Sequence, residues 1–507
     1  MVLAWTLFLL YLLGTSYLGW QGLKKTDGFS SFAIGKGDLS PLQVGVTLAA
    51  ATASAATFII NPGFVYVDGL AAFMHLGISV YLGFVLMLLL LSFRFRELGA
   101  AFHALTIPDW IGKRYNSQNF SLYFAIINLL SFAFIVLLVG GISIVMQQLL
   151  DVSNLIALVI TLVFVTGYVL IGGTYAHVYT NMFQGFLMVG VSVVVIGSGI
   201  ILMSGTEDFW GAVAGTSTPF SSTAGEGLMG YVNPESRFFK DIFSTYIAGF
   251  CIGGALVCQP HILTKALYVK TNREVGQYIA IFSGVYLLFT LLLLVGFWAH
   301  VSVPAEALTD PTTGVFRQDL VMTAYLKATF PDWLFTIVSV VLLAAAMSTL
   351  DGLLVGISTI TANDLVLNLL RRKGKGDEEK QMVLAMRISQ LVLVLVAVAA
   401  FFVALHPPPL LGIFGQVGVY GLVLAAVPPL LAGVLFTNVH KSLVWFFSAL
   451  ALLIHFSLYR YGTGWFPDTT LAFANPGVTA TIAMLVTAVP STLISWALRN
   501  RLAYQKN

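Results

Sequence analysis

A polar cluster inside an apolar stretch is the first place in this sequence where chemistry is possible. The segment AAAMSTLDGLLVGIST holds Ala345, Ser348 and Thr349 at helical spacing, with an acid, Asp351, set in the same apolar run. Two hydroxyls on one helix, together with carbonyls released where another helix breaks, supply neutral oxygen ligands, and a hard cation such as sodium takes oxygen. The structural alternative is a hydroxyl bonded to the carbonyl four residues back. A carboxylate near the middle of a membrane helix costs about 2.5–3.5 kcal/mol on insertion scales, so Asp351 must face a partner or a polar cavity.

Two other segments carry helix breakers at membrane depth. LAAATASAATFIINPGFVYVDG places Asn61-Pro62-Gly63 after a small, hydroxylated stretch, and IAGFCIGGALVCQPH has Gly253-Gly254 in its middle and Gln259-Pro260 near its end. Proline removes a backbone donor and glycine frees the backbone, so both segments are expected to unwind. They lie five segments apart, the pattern that points to inverted repeats with solute and ion bound between them. A proline kink and a glycine packing face are the alternatives. His75 stands alone in an apolar helix; the structural reading is a buried, hydrogen-bonded imidazole, the functional one a donor to a solute carboxylate or a proton carrier. Cys251 and Cys258 share one apolar segment and read as packed thiols, not a disulfide or metal set.

The elements that must position these residues are membrane spans. Of 507 residues 58% are apolar and 9% charged, with a mean hydropathy of +0.90, which no soluble core of this length accommodates. Apolar segments fall at 2–20, 42–60, 70–92, 122–148, 154–172, 182–203, 242–262, 277–302, 334–361, 383–404, 409–438, 442–459 and 475–498, thirteen in all, each long enough for about 30 Å of hydrocarbon. The first lacks a basic leader and reads as a span. An N-terminus outside the cell puts twenty of the 25 basic residues on the cytoplasmic side, leaving Arg237, Lys240, Arg317, Lys327 and Arg460 outside. The run RRKGKGDEEK at 371–380 reads as a solvated loop. A net charge of +3 without a basic stripe argues against nucleic acid. No HExxH, GxxxxGK[ST] or GxSxG motif occurs, so an enzyme has no residues to rest on.

With SAATFIINPGFVYVDG, IGGTYAHVYTNMFQG, CQPHILTKALYVK and AAAMSTLDGLLVGIST, the chain resembles the sodium:solute symporter family over nearly its whole length. The resemblance implies an all-α integral membrane fold of the leucine-transporter type, one transporter domain over 1–507. Its 5+5 inverted repeat would pair 42–203 with 242–438 and contain discontinuous helices. It implies a sodium site made by the carbonyls of Ala50, Ala53 and Ala345 and the hydroxyls of Ser348 and Thr349. Solute contacts are implied for Ser54, Thr57 and Phe58 beside the first break, for His75 and Ser79 on the third span, and for Cys258 and Gln259 on the seventh. Asn181 stands where most members carry an aspartate; it and Asp351 are the candidate second-ion or coupling positions.

The expectation is therefore a sodium-coupled symporter that imports a small solute across the cell membrane, with lipid, solute and sodium as partners and no cofactor. The oligomeric state is left open. A carboxylate-bearing solute is favoured, because the segments most resemble the pantothenate, monocarboxylate and proline branches and no polar array suits a sugar. Two alternatives stand beside it: a proton-coupled transporter of the same fold, using Asp351 or His75, and a transporter-like sensor, which the short stretch after the last segment disfavours.

Overall fold

The computed structural model describes residues 2–54, 56–216, 226–309, 314–372, 378–407 and 411–504; Lys373, Lys375 and Asp377 of the charged run lie outside them. Beyond a lone bridge between Thr309 and Phe316, every regular element among these residues is helical. Ten helices are long and apolar enough to cross a membrane, Phe243–Leu256 and Pro260–Tyr268 form a further span bent by 63°, and Pro41–Thr52 and Asn154–Leu170 are shorter apolar helices. Two stretches run through a corner without leaving helical hydrogen bonding: Asn61–Phe73 turns at Gly69 (φ 63°) and Asn154–Gly205 at Gly173 (φ 51°). Dividing the chain at these corners yields thirteen spans in the expected places.

The second span is Pro41–Thr52 followed, after a break, by Ala56–Ile60 and the first part of Asn61–Phe73. Its start is set by Ser40, which accepts from the Gln43 amide while Gln43 Oε1 accepts from the Ser40 amide, with Pro41 preset in the first turn. The opening falls at 53–54, ahead of the Asn61-Pro62-Gly63 position that the sequence suggests. A wide π-turn over Ala56–Ile60 precedes Pro62, so the missing proline amide sits near a helix start, where it costs little. Gly63 serves packing instead: a Cβ there would stand 2.1 Å from the Gln318 carbonyl oxygen.

The seventh span breaks at 257–259 and resumes at Pro260. Gly253 is not part of the opening; a Cβ on it would lie 2.1 Å from the Val80 carbonyl oxygen, and one on Gly83 would lie 1.9 Å from that of Phe250. The third span, ending in Val80–Phe102, and the seventh are thus held backbone to backbone. Without water to expel, membrane helices associate through such close approach. Large apolar side chains such as Leu86, Val193, Ile201 and Phe402 point outward, as a lipid-facing surface requires. The ninth span, Asp332–Ile360, lies in the bundle interior with every residue from Val338 to Val355 buried, and packs on the second and sixth.

Candidate functional site

The Ser54 amide does not continue the helix to Ala50 but turns to the Thr52 carbonyl, 3.0 Å away. That leaves the Ala50 carbonyl for the ninth span. Ser348 Oγ lies 2.8 Å from it and 2.7 Å from the Ala345 carbonyl, and Thr349 Oγ1 donates to the Ala51 carbonyl at 2.9 Å. The structure therefore brings Ala50, Ala345 and Ser348 into one set of oxygens and seats Thr349 on Ala51 where Ala53 was expected. The extra turn of helix up to Ala53, whose amide still bonds Ala49, explains the shift. Five neutral oxygens converge here, all buried. A hard cation takes oxygens at about 2.4 Å, taking calcium as the guide, so spreading these contacts by a few tenths of an ångström accommodates one.

Asn181 reaches the same place from the sixth span, which follows the Gly173 corner: its Nδ2 donates to the Ser348 carbonyl at 2.5 Å. It presents a donor to this cluster. Gln184, one turn on, donates to Tyr11 at 2.7 Å.

Beside the cluster lies a cavity of about 100 Å³ between the two breaks, lined by Ser54, Thr57, Asn61, Gln259, His261 and Tyr286 among others. Ala51 lines it too, so cavity and oxygen cluster share a residue. Among the described residues no charged side chain lines it. Asn61 Oδ1, Gln259 Oε1 and His261 Nδ1 are buried and have no hydrogen-bond partner among the described residues. Unsatisfied buried polar atoms cost about 1–3 kcal/mol each, so these three call for a hydrogen-bonding partner from outside the described residues, water or solute.

Of the expected solute contacts, Ser54, Thr57 and Gln259 line this cavity and four others do not. His75 Nδ1 contacts the carbonyls of Ser244 and Thr245 at 2.8 and 3.0 Å, which the π-turn Phe243–Ile247 leaves open, and its ring lies 4.9 Å from Phe239. Ser79 packs on Gly249, where a Cβ would come within 2.8 Å of it. Phe58 meets Phe289 edge-on with ring centroids 5.2 Å apart, and Cys258 is a buried free thiol in the break. Asn61, His261 and Tyr286 were not expected there; the first two stand inside quoted motifs, while nothing in the sequence marks Tyr286.

Asp351 has the partners its burial demands. Its Oδ1 is 2.9 Å from His177 Nδ1, and its Oδ2 accepts from Tyr168 at 3.0 Å and Thr180 at 3.3 Å. His177 Nε2 stands 3.1 Å from Lys265 Nζ, which also donates to the His261 carbonyl at 2.8 Å. Lys265, which the sequence places among loop charges, is fully buried.

Broken helices that meet around a polar chamber, with hydroxyls set against freed carbonyls, are the architecture of a secondary transporter. The chain belongs to the sodium:solute symporter family, whose model matches residues 32–442. It is a multi-pass membrane protein of a family that couples solute movement to sodium, and not an enzyme. Among similar proteins are an uncharacterised symporter, YwcA, of Bacillus subtilis (25% identity, 79% of this chain and 75% of the relative) and a sodium/pantothenate symporter of Haemophilus influenzae (23%, 81% and 80%). The osmoregulated proline transporter OpuE of Bacillus subtilis is 25% identical over 78% of this chain and 77% of its own. A solved sodium-coupled sialic acid symporter, substrate-bound and outward-open, shares the fold with a TM-score of 0.71 at 15% identity, over 97% of this chain and 98% of that one.

Proposed function

We propose that this protein imports a small carboxylate-bearing solute together with one sodium ion, by alternating access, across the cell membrane, with its N-terminus outside. The observation that carries the reading is the set of Ser348 and Thr349 hydroxyls against the Ala50 and Ala51 carbonyls, one residue from a cavity with unsatisfied polar atoms. Because Ala51 belongs to both places, sodium binding that reorders the second-span opening also shapes the solute chamber. That is the differential contact coupling requires. Spans two to six and seven to eleven act as the two halves, each contributing its broken first helix.

The chamber also bears on the solute. Asn61 Oδ1 and Gln259 Oε1 await donors, so the solute carries N–H or O–H groups. Among the described residues no lysine or arginine lines the chamber, and the adjacent sodium offsets the carboxylate charge. Pantothenate and proline, for which two relatives are named, both have such donors and a carboxylate. Uptake of labelled carboxylates and amino acids into proteoliposomes, with and without a sodium gradient, tests the reading. With one sodium per cycle a zwitterion carries one net charge inward, worth about 2.3 kcal/mol per 100 mV, and a monoanion carries none. Sodium-independent uptake of every solute in the panel would overturn it.

A further inference from the structure

The buried chain Lys265–His177–Asp351 lies outside the ion and solute contacts proposed above, yet it borders both. Asp351 is three residues from Ser348 and two from Thr349 on one helix, and Lys265 holds the carbonyl of His261, whose ring lines the chamber. Among the described residues no carboxylate is in direct ion-pair contact with Lys265. Its ammonium is only a donor, so His177 Nε2 must accept from it; the proton of a neutral imidazole then sits on Nδ1 and is given to Asp351 Oδ1. This tautomer satisfies all four atoms. A charged imidazole would set two donors against each other at 3.1 Å.

The consequence concerns ions. A carboxylate fully inside the bundle, within a turn of a cation site and without its own positive partner, attracts a second cation, because low dielectric strengthens the pull. Here the positive partner is part of the chain, delivered through one imidazole. Tyr168 and Thr180 occupy the other carboxylate oxygen, so Asp351 offers little room for a mobile ion. Asn181 adds a donor and a neutral carbonyl oxygen, Oδ1, which has no partner among the described residues, but no anion on the neighbouring side.

We propose that Lys265, acting through His177, is the built-in counter-cation of Asp351 and thereby limits the protein to one bound sodium ion. Lys265 and His177 are stoichiometry-determining residues that touch neither ion nor solute. The inference rests on the sodium-site reading above.

Equilibrium binding of radioactive sodium to the purified full chain, in choline of constant ionic strength, counts ions without any need for the solute. The wild type is expected to bind one, Lys265→Arg one, and Lys265→Met two, since the stripped carboxylate recruits a mobile cation. Lys265→Met/Asp351→Asn removes both charges and is expected to return to one. If Lys265→Met alone does not fold, the double variant decides: folded yield restored with one bound ion supports the pairing, and a double variant no better than the single overturns it. Lys265→Met that folds and binds a single ion also overturns it, with the sodium site itself intact. A wild type that binds no sodium instead removes the reading on which the inference stands.

Discussion

Replacing Ser348 with alanine tests the ion site at its most connected atom. Ser348 Oγ bridges the Ala50 and Ala345 carbonyls at 2.8 and 2.7 Å, so it meets carbonyls of both spans of the cluster. A contact to a charged group is worth about 1.5–3 kcal/mol, and each 1.4 kcal/mol is tenfold, so the sodium concentration for half-maximal binding should rise roughly 10- to 150-fold. The fold itself loses one neutral hydrogen bond, about 1 kcal/mol, and the vacated space is less than that of a methyl group. Sodium affinity should therefore fall far more than thermal stability. Sodium-dependent stabilisation of the purified variant and sodium-dependent uptake would both read the change, with Thr349→Ser, which keeps its oxygen, near the wild type. A Ser348→Ala protein with ordinary sodium dependence and merely reduced yield would show that the hydroxyl only staples the two helices together.

His75→Leu should lower the unfolding midpoint, because the Ser244 and Thr245 carbonyls lose a donor worth about 1–3 kcal/mol, while solute half-saturation stays unchanged; wild-type stability with weakened solute binding would return His75 to the solute site. Gly253→Ala should destabilise by about 1–3 kcal/mol, since its Cβ meets the Val80 carbonyl oxygen at 2.1 Å, whereas Gly284→Ala, with nothing within 4 Å, should be silent in the same melting experiment. Gln259→Ala removes an amide whose oxygen waits in the chamber, and should raise the solute half-saturation roughly 5- to 30-fold with sodium binding preserved. Equal loss of both affinities would instead mean that Gln259 holds the seventh-span break open.

The spans were legible because lipid demands long apolar runs, and even the two shorter helices fall where those runs do. The ninth-span hydroxyls were legible for the same reason: adjacent Ser348 and Thr349, followed by Asp351, stand out against Ala and Leu. The places of the breaks were not. Asn61-Pro62-Gly63 signals a disturbance, but the wide turn over Ala56–Ile60 takes it up, and the chain opens at residues with no breaker among them. His75 misleads because its partners are backbone carbonyls freed by a π-turn 169 and 170 positions away, which no side-chain pattern announces. Likewise Asp351 demanded a partner, yet His177 is 174 positions off and Lys265 a further 88 from His177, in a stretch whose charge reads as loop. Long-range pairing through an imidazole leaves no local trace.

The glycine corners at Gly69 and Gly173 bear on how such a bundle can move. Both hold φ values that side-chain-bearing residues resist, and in both the missing Cβ is replaced by a neighbour: the Leu228 carbonyl oxygen at 2.0 Å from its would-be position, and the Phe32 ring at 2.4 Å. Two spans are thereby welded end to end with no slack chain between them. A tilt of one arm is delivered to the other as torque instead of being absorbed in a loop. The second half of the second span and the third, and likewise the fifth and sixth, are mechanical units, so the compliance for a transport cycle must come from the unwound stretches at 53–54 and 257–259. A few glycines spliced in at either corner would add slack without removing a single ligand, and transport should slow while sodium binding persists.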